Sequence, residues 1–411
     1  MLYPFIFMFF QRKHHRAPVP ADGHPAGGDF AYVAPGSCYL DSACQTLRPQ
    51  QVIDTEMEYY LTYNACGGRV KYAWGAQVDT KVREARELLL AFSGKRAKDY
   101  CVAFTLNTTY GINLVLHQLA GGAFRGIVTS ESEHNSVVLP SMTWAARNGV
   151  PRTVLAREED GSLRYAPKDL EKRVVLVQSV SNIDGRSTLN LPALADDAHA
   201  HGGILLVDAA QGFAHDAARL RETDFDAAFG SGHKMYGPSI GFIVIRRSLL
   251  ARLEPFFIGG GTVTDVRADS FDLLREGDEA HAVLEAGLQN WGGIIGLGAA
   301  VQWLQRQDLA VEKACAEQLF RGLRAEPRVH LLNRTPGPVV SFHADGIDAH
   351  RLALYLSEKG IMCRSGHFCC HGYLQHQLNL PPLLRVSLGL NNTPSDVTVF
   401  LDALRTILST L

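Results

Sequence analysis

Five short apolar runs between residues 125 and 246 constrain the fold more than any other feature of the sequence. They are RGIVTS (125–130), RVVLVQSVS (173–181), GGILLVDAA (202–210), FDAAFG (225–230) and GFIVIR (241–246). Between them, VVLPSMTWAARNG and LPALADDAHAHG show helical spacing, and each closes on a glycine. Strands that alternate with helices predict an α/β fold with a mainly parallel sheet covered on both faces.

The pattern of predicted strands and helices changes near residue 300. A long helical stretch, GGIIGLGAAVQWLQRQ, precedes a region with few strands and several helices, and residues 17–36 are rich in proline, glycine and alanine. We therefore expect three parts: a lead-in segment (1–36), a large domain (37–300) and a small α+β domain (301–411). Ligands of such sheets bind beyond the carboxyl ends of the strands, so polar residues that follow strands are the candidates for a site.

Composition excludes some classes of function. The chain has 411 residues and a formal net charge of −2, which gives no electrostatic reason to expect nucleic acid or an anionic membrane as partner. Its eight cysteines are scattered and form no CxxC pair, which favours reduced thiols and a cytoplasmic protein. The apolar run at residues 1–10 is too short to span a bilayer, and its basic cluster follows it, unlike a secretory signal. We expect this run to dock on the protein.

Two neighbouring strand ends carry an acid and a lysine. Asp208 closes the run LLVD, and Lys234 lies in the glycine-rich segment SGHKMYGP behind the next apolar run. Each could be structural by itself, the acid as a helix cap and the lysine as part of a turn. Together they fit pyridoxal phosphate (PLP), in which a lysine forms the Schiff base and an acid keeps the pyridine nitrogen protonated.

Two further segments fit the rest of such a cofactor. Thr108 and Thr109 lie where a strand enters a helix, and hydroxyl and backbone N–H groups at a helix N-terminus suit a phosphate. Capping of that helix by a threonine is the alternative. His134 follows another strand, where its ring could stack on the cofactor or serve as a hydrogen-bonded structural residue.

These segments resemble class V aminotransferase-like PLP enzymes, and among them the type II cysteine desulfurases, which are grouped with selenocysteine lyases. The most specific motifs are VDAAQ, SGHKMYGP and RSGHFC, and EHNS, NTTYGIN, SVSNIDG and RVSLGLNN follow in the same order. The resemblance covers nearly the whole chain after the lead-in. It implies fold type I of the PLP-dependent transferases and a homodimer.

The resemblance also implies roles for individual residues. Lys234 would hold PLP and move the α-proton, Asp208 would pair with the pyridine nitrogen, Gln211 with the phenolic oxygen, and His134 would stack on the ring. The phosphate would be held by Thr108, Thr109, Ser231 and His233, and the substrate carboxylate by Asn182 and Arg385. Cys369 would be the catalytic cysteine. One departure is Leu288, which stands where the family carries a threonine directed at the partner subunit.

The stretch RSGHFCCHGY (364–373) contains two adjacent cysteines, Cys369 and Cys370. By itself it is compatible with a metal site or a redox pair, although zinc ligands are usually separated by at least two residues. Within the family pattern, Cys369 would take sulfur from L-cysteine as a persulfide and release alanine. The alternatives are a related class V enzyme that forms no persulfide (a selenocysteine lyase, C–S lyase, aminotransferase or epimerase) and a catalytically silent scaffold. A desulfurase also implies a sulfur-acceptor protein and a place in iron–sulfur cluster assembly.

Overall fold

The computed structural model describes residues 28–68, 70–277 and 279–410. Most of the predicted lead-in, including the apolar run at residues 1–10, therefore lies outside the described residues. Within the described part, the α-helices are α1 (Gln50–Thr62), α2 (Ala73–Phe92), α3 (Thr108–Gln118), α4 (Asn135–Asn148), α5 (Leu191–Ala200), α6 (Gly212–His215), α7 (Ala217–Glu222), α8 (Arg247–Leu250), α9 (Trp291–Leu304), α10 (Ala310–Arg324), α11 (Ala349–Glu358) and α12 (Pro394–Thr410).

The strands of the described residues form four sheets, of which two are large. They are β1 (Cys38–Tyr39), β2 (Tyr100–Thr105), β3 (Gly126–Ser130), β4 (Arg152–Arg157), β5 (Leu163–Arg164), β6 (Arg173–Gln178), β7 (Ile204–Asp208), β8 (Ala227–Ser231), β9 (Gly241–Arg246), β10 (Val263–Val266), β11 (Phe271–Leu273), β12 (Val329–Leu331), β13 (Val339–Ala344), β14 (Ile361–Met362), β15 (Arg364–Gly366) and β16 (Leu383–Ser387). The five apolar runs became β3, β6, β7, β8 and β9, which confirms the strand prediction.

The larger sheet has eight strands in the order β2-β9-β8-β7-β6-β3-β4-β5. Its centre is parallel from β4 to β8, and β9 runs antiparallel between β8 and β2. Because β2 and β8 both oppose β9, they point the same way, so β2, β3, β6, β7 and β8 present their carboxyl ends at one edge. The predicted α/β class with a mainly parallel sheet is confirmed.

Both faces of this sheet are buried, as its apolar strands require. Alternate residues of β6 enter two separate clusters: Val175 and Val177 pack on one side, Val174 and Leu176 on the other. Successive side chains of a strand point to opposite faces, so a strand with helices on both sides must be apolar at almost every position. Helix α4 ends at Gly149, whose φ of 63° caps it in the left-handed conformation.

The smaller sheet has four antiparallel strands in the order β12-β13-β16-β15. Val340 and Phe342 of β13 pack in a core shared with α10, α11 and α12, so this sheet carries its helices on one face. On the other face Ser341 donates to the carbonyl oxygen of Ile183 at 2.5 Å, which fastens β13 to the loop after β6. Strand β1 pairs with β14 and so connects the segment before α1 to the segment between α11 and β15.

The predicted domain boundary at residues 300 and 301 falls inside α9, which packs against α1 and α2. The division of the chain into 1–36, 37–300 and 301–411 stays a prediction. Among the described helices, none is both long and apolar enough to cross a bilayer.

Candidate functional site

A cavity of about 310 Å³ opens at the edge where the parallel strands end. The sequence placed its candidates after separate strands, and the fold brings every one of them to this cavity: Thr108, Thr109, His134, Asn182, Asp208, Gln211, Ser231, His233, Lys234, Cys369 and Arg385. Candidates as far apart in the chain as Thr108 and Arg385 thus line one cavity. Their individual roles stay predictions.

Lys234 and Asp208 occupy adjacent strand ends. Asp208 is the last residue of β7, and Lys234 ends a single 3₁₀ turn, Gly232–Lys234, that follows β8. This turn needs a glycine, because a Cβ at Gly232 would lie 2.6 Å from the carbonyl oxygen of Pro238. Burial lowers the pKa of Lys234, and the nearby Asp208 opposes that effect. A lysine with a lowered pKa is the form suited to imine chemistry.

Asp208 and Gln211 each have a buried side-chain oxygen that could pair with a bound group. Burial raises the pKa of Asp208, and its carboxylate accepts a hydrogen bond from the backbone N–H of Ala210 at 3.0 Å. The Gln211 side chain donates to the carbonyl oxygen of Ala43 at 2.7 Å, while its own oxygen is buried with no partner among the described residues. A buried carboxylate and an unpaired amide oxygen in one cavity fit a ligand that is cationic and polar there, as a protonated pyridine ring would be.

The N-terminus of α3 forms the other end of the cavity. Asn107, rather than a threonine, caps this helix by accepting from the N–H of Tyr110, so the threonine-cap alternative is wrong. The Thr108 hydroxyl lies 2.7 Å from the Ser231 hydroxyl, and the Thr109 hydroxyl lies 2.7 Å from that of Ser136. Four hydroxyls at a helix N-terminus form a cradle suited to a phosphate.

His134 presents a neutral ring at the cavity. Its Nδ1 accepts from the N–H of Ser136 at 3.0 Å and thereby caps α4. Burial lowers the pKa of His134 to about 4, and the charges of Lys234 and Arg385 add to this effect. The structural hydrogen bond suggested by the sequence is therefore present, and the residue also lines the cavity, while stacking of its ring on a cofactor stays a prediction.

The segment 364–373, here called the cysteine loop, separates its two thiols. Phe368 and Cys369 have φ angles of 50° and 59°, a left-handed conformation that costs free energy in residues with a side chain. The carbonyl oxygen of Phe368 accepts from the Asn182 amide at 2.9 Å, and that of Cys369 accepts from the Asn135 N–H at 2.8 Å. Cys369 lines the cavity and is exposed, whereas Cys370 is buried. The two adjacent thiols therefore lie in different environments.

An acid that the sequence analysis missed, Asp41, holds two arginines at the cavity. One carboxylate oxygen lies 3.1 Å from Arg385 Nη2, and the other accepts from Arg364 Nε at 3.0 Å. Arg385 also donates to the carbonyl oxygen of Asn182 at 3.0 Å, and its Nε is buried without a partner among the described residues. Arg385 thus brings an unpaired N–H donor to the lining of the cavity. Asp41 lies 344 residues earlier in the chain, so no local pattern links the two.

Other lining residues were missed as well. Cys44 and Ser136 both face the cavity, the first as a second thiol in the same space as Cys369. EHNS was noted for its histidine, and a hydroxyl two residues later on the same helix start was the available signal for Ser136. Cys44 sits in the YLDSAC segment without any pattern typical of a reactive thiol.

Leu288, where the family pattern has a threonine, is exposed. The neighbouring Gln289 donates to backbone carbonyls of Glu285 and Gly287, and Asn290 caps α9. Both polar neighbours are therefore engaged within the chain.

Comparison with known proteins gives consistent similarities. A family model described as Aminotransferase class-V matches residues 38–400. A cysteine desulfurase of Escherichia coli O157:H7 (strain EC4115 / EHEC) is 31% identical over 389 residues, with 90% of this chain and 93% of that protein covered. The apo structure of a cysteine desulfurase from Thermococcus onnurineus NA1 has a TM-score of 0.84 and 30% identity, covering 91% of this chain and 95% of the other. The Escherichia coli cysteine desulfurase CsdA has a TM-score of 0.81 and 26% identity, covering 93% and 97%.

Proposed function

The chain belongs to the aminotransferase class-V family, and from that premise we propose that it is a PLP-dependent cysteine desulfurase. It would convert L-cysteine to L-alanine and hold the released sulfur on Cys369 as a persulfide. One observation carries the proposal: an exposed thiol on a pinned, strained loop lines the same cavity as a lysine of lowered pKa and a buried aspartate. Cysteine desulfurases are also the relatives with which the chain shares its fold.

PLP would supply an electron sink that allows an amino acid to lose its α-proton and its carbon–sulfur bond to break. The residues present fit this group. Asp208 would pair with the ring nitrogen, the Gln211 side chain would meet the phenolic oxygen, and the neutral His134 ring would lie against the cofactor. The hydroxyls of Thr108, Thr109 and Ser231, with His233, would hold the phosphate.

Lys234 would hold the cofactor and carry the proton that leaves the α-carbon. Burial favours its uncharged amine, which is the form that can accept a proton. Arg385 would orient the substrate through its guanidinium, since a carboxylate is the usual partner of that group. Asn182 is predicted to help Arg385 bind the substrate carboxylate. Its side-chain amide already donates to a carbonyl oxygen of the cysteine loop, so its action on the substrate would be coupled to the position of that loop.

Cys369 would accept the sulfur as a thiolate. Over the whole reaction, the carbon–sulfur bond of the substrate breaks and a sulfur–sulfur bond forms at Cys369 Sγ. The hydrogen of the protein thiol is balanced by the hydrogen gained at the methyl group of alanine. From membership of this family we expect two partners: a second copy of the chain in a homodimer, and a protein that takes up the persulfide sulfur.

The test compares the purified wild-type protein with Cys369→Ser, with Cys44→Ser as the other cavity thiol and with Cys66→Ser as an exposed thiol outside the cavity. We expect a PLP absorbance band in all four, and alanine with a persulfide in every protein except Cys369→Ser. Absence of alanine from the wild type would refute the desulfurase. Alanine formation unaffected by Cys369→Ser would favour a related class V enzyme that forms no persulfide, and loss confined to Cys44→Ser would move the nucleophile to that thiol.

A further inference from the structure

Two histidines face each other across the edge of the smaller sheet. His330 of β12 and His343 of β13 are directly paired in the antiparallel register. Asp345 follows two residues after His343, in the turn directly after the end of β13. The three side chains come from segments that the function proposed above does not use.

The rings and the carboxylate lie close together. The imidazoles of His330 and His343 are nearly parallel, with centroids 4.8 Å apart and an angle of 22° between planes. His330 Nε2 lies 2.9 Å from a carboxylate oxygen of Asp345. One ligand-type atom from each of the three residues lies within 4.8 Å of the other two.

The surroundings leave this cluster open to a small cation. The side chains of His330 and Asp345 are 49% and 64% exposed, and His343 is half-buried. Arg328 is the nearby positive charge, and its guanidinium is directed at backbone oxygens of Asp345 and Leu408 rather than at the Asp345 carboxylate. The carboxylate thus has His330 as its side-chain partner and remains available to a metal.

We propose that His330, His343 and Asp345 bind a divalent transition-metal ion of the zinc type. Two imidazole nitrogens and one carboxylate oxygen suit such ions, whereas calcium and magnesium prefer all-oxygen sites. Metal–ligand bonds of about 2.0–2.1 Å place the ligand atoms of a tetrahedral site roughly 3.4 Å apart. Rotation of the two exposed side chains by about 1 Å at their tips would bring the present spacing of 4.8 Å or less into that range.

The position of the cluster determines what the ion would do. None of its three residues lines the cavity that contains Lys234 and Cys369. The ion would instead join the edge strand β12 to β13, so it would stabilise the fold of the smaller sheet by binding only the folded chain. Three protein ligands would leave a fourth position for water.

The experiment measures zinc bound to the holoenzyme after equilibrium dialysis against buffered free Zn²⁺. It compares the wild type with a His330→Ala, His343→Ala double variant, with Asp345→Asn, and with His117→Ala as an exposed histidine outside the cluster. The eight cysteines are retained in all four proteins, so any zinc on thiols is common to them. We expect the double variant to bind about one ion per chain fewer than the wild type and His117→Ala.

Thermal unfolding gives the second measurement. Added Zn²⁺ should raise the melting temperature of the wild type and of His117→Ala, and should not raise that of the double variant. Asp345→Asn keeps both imidazoles and the shape of the side chain, so it should bind zinc more weakly without loss of fold. Equal zinc content in the wild type and the double variant, with both folded, would overturn the proposal. If the double variant melts at a lower temperature even without zinc, the Asp345→Asn variant decides the question. An affinity of Asp345→Asn for zinc equal to that of the wild type would also count against the site.

Discussion

The thiol of Cys370 lies 3.4 Å from the amide oxygen of Asn182, and it is placed to donate to that oxygen. The same amide donates from its nitrogen to the carbonyl oxygen of Phe368. Cys370 therefore fixes which way the Asn182 amide points, and Asn182 in turn holds the left-handed turn that presents Cys369. The sequence left the second cysteine unexplained, with packing as the plain interpretation and a second persulfide carrier as the alternative; from this contact we infer that it positions the loop.

We expect Cys370→Ala to lower kcat for alanine formation about tenfold while KM changes little. The substitution leaves a buried amide oxygen without a donor, which costs about 1–3 kcal/mol and loosens the loop that carries the proposed nucleophile. Cys370→Ser keeps a donor and should restore most of the rate. Steady-state kinetics of the three proteins checks this, and equal rates for the alanine and serine variants would show that the hydrogen bond does not position the loop.

Thiol labelling should divide the eight cysteines into two groups. Burial raises the pKa of Cys38 and Cys363 to about 12 and of Cys101 and Cys315 to about 11, and it also raises that of Cys370. Since only the thiolate reacts, these five should resist a thiol reagent in the folded protein, and a change from pH 7 to pH 9 should not recruit them. The three that we expect to react are Cys44, Cys66 and Cys369.

Mass spectrometry of the labelled protein, before and after denaturation, identifies the reactive set. Cys369→Ser and Cys66→Ser should each remove one fast site. Rapid labelling of Cys38 or Cys101 in the folded protein would contradict the burial that sets their pKa values.

A pH-dependent stabilisation is expected at His199. Its Nε2 lies 2.8 Å from a carboxylate oxygen of Asp226, and this hydrogen bond raises the pKa of His199 above its usual 6.5. The stabilisation is therefore complete below pH 6.5, where the unfolded state is protonated too, and is lost as the pH rises through the higher folded pKa. Because the side chain is 28% exposed, we expect no more than about 1 kcal/mol.

Urea unfolding of the wild type and His199→Gln at pH 6 and pH 9 measures this difference. The free-energy gap should be larger at pH 6. His201→Gln serves as the control, since His201 bonds a backbone carbonyl rather than a carboxylate. A gap that grows with pH would contradict the assignment.

The sequence allowed the fold class and most of the cavity to be predicted because both depend on local patterns. A nearly continuous apolar run such as ILLVD is typical of a strand that is covered on both faces, and the polar residue at its end is expected at the edge of the sheet. Asp208 and Lys234 could therefore be placed without a structure. The motifs of the family supplied the rest of the candidates.

What sequence analysis missed depends on contacts between distant segments. Asp41 lies beside Arg385 because Asp41 forms a parallel bridge with Ser387 of β16, two residues after Arg385, and no spacing within the chain indicates this. The engagement of Asn182 by the cysteine loop has the same origin, since the two segments are 186 residues apart. Burial and partner choice at such sites follow from tertiary packing rather than from composition.

The pair Asp41–Arg385 offers a comparison between a buried and an exposed ion pair of equal length. Its N···O distance is 3.1 Å, with side chains 15% and 3% exposed, and the pair Asp402–Arg405 has the same distance with side chains 65% and 50% exposed. Removal of one partner from a buried pair leaves an uncompensated charge, which costs about 3–5 kcal/mol, whereas an exposed pair contributes about 0–1 kcal/mol.

We expect Asp41→Asn to lower the free energy of unfolding by roughly 3 kcal/mol and Asp402→Asn by less than about 0.5 kcal/mol. Urea unfolding of both variants at one pH checks the contrast. Equal effects would mean that bound water replaces Asp41 as the partner of Arg385, and that the guanidinium is not held by this carboxylate.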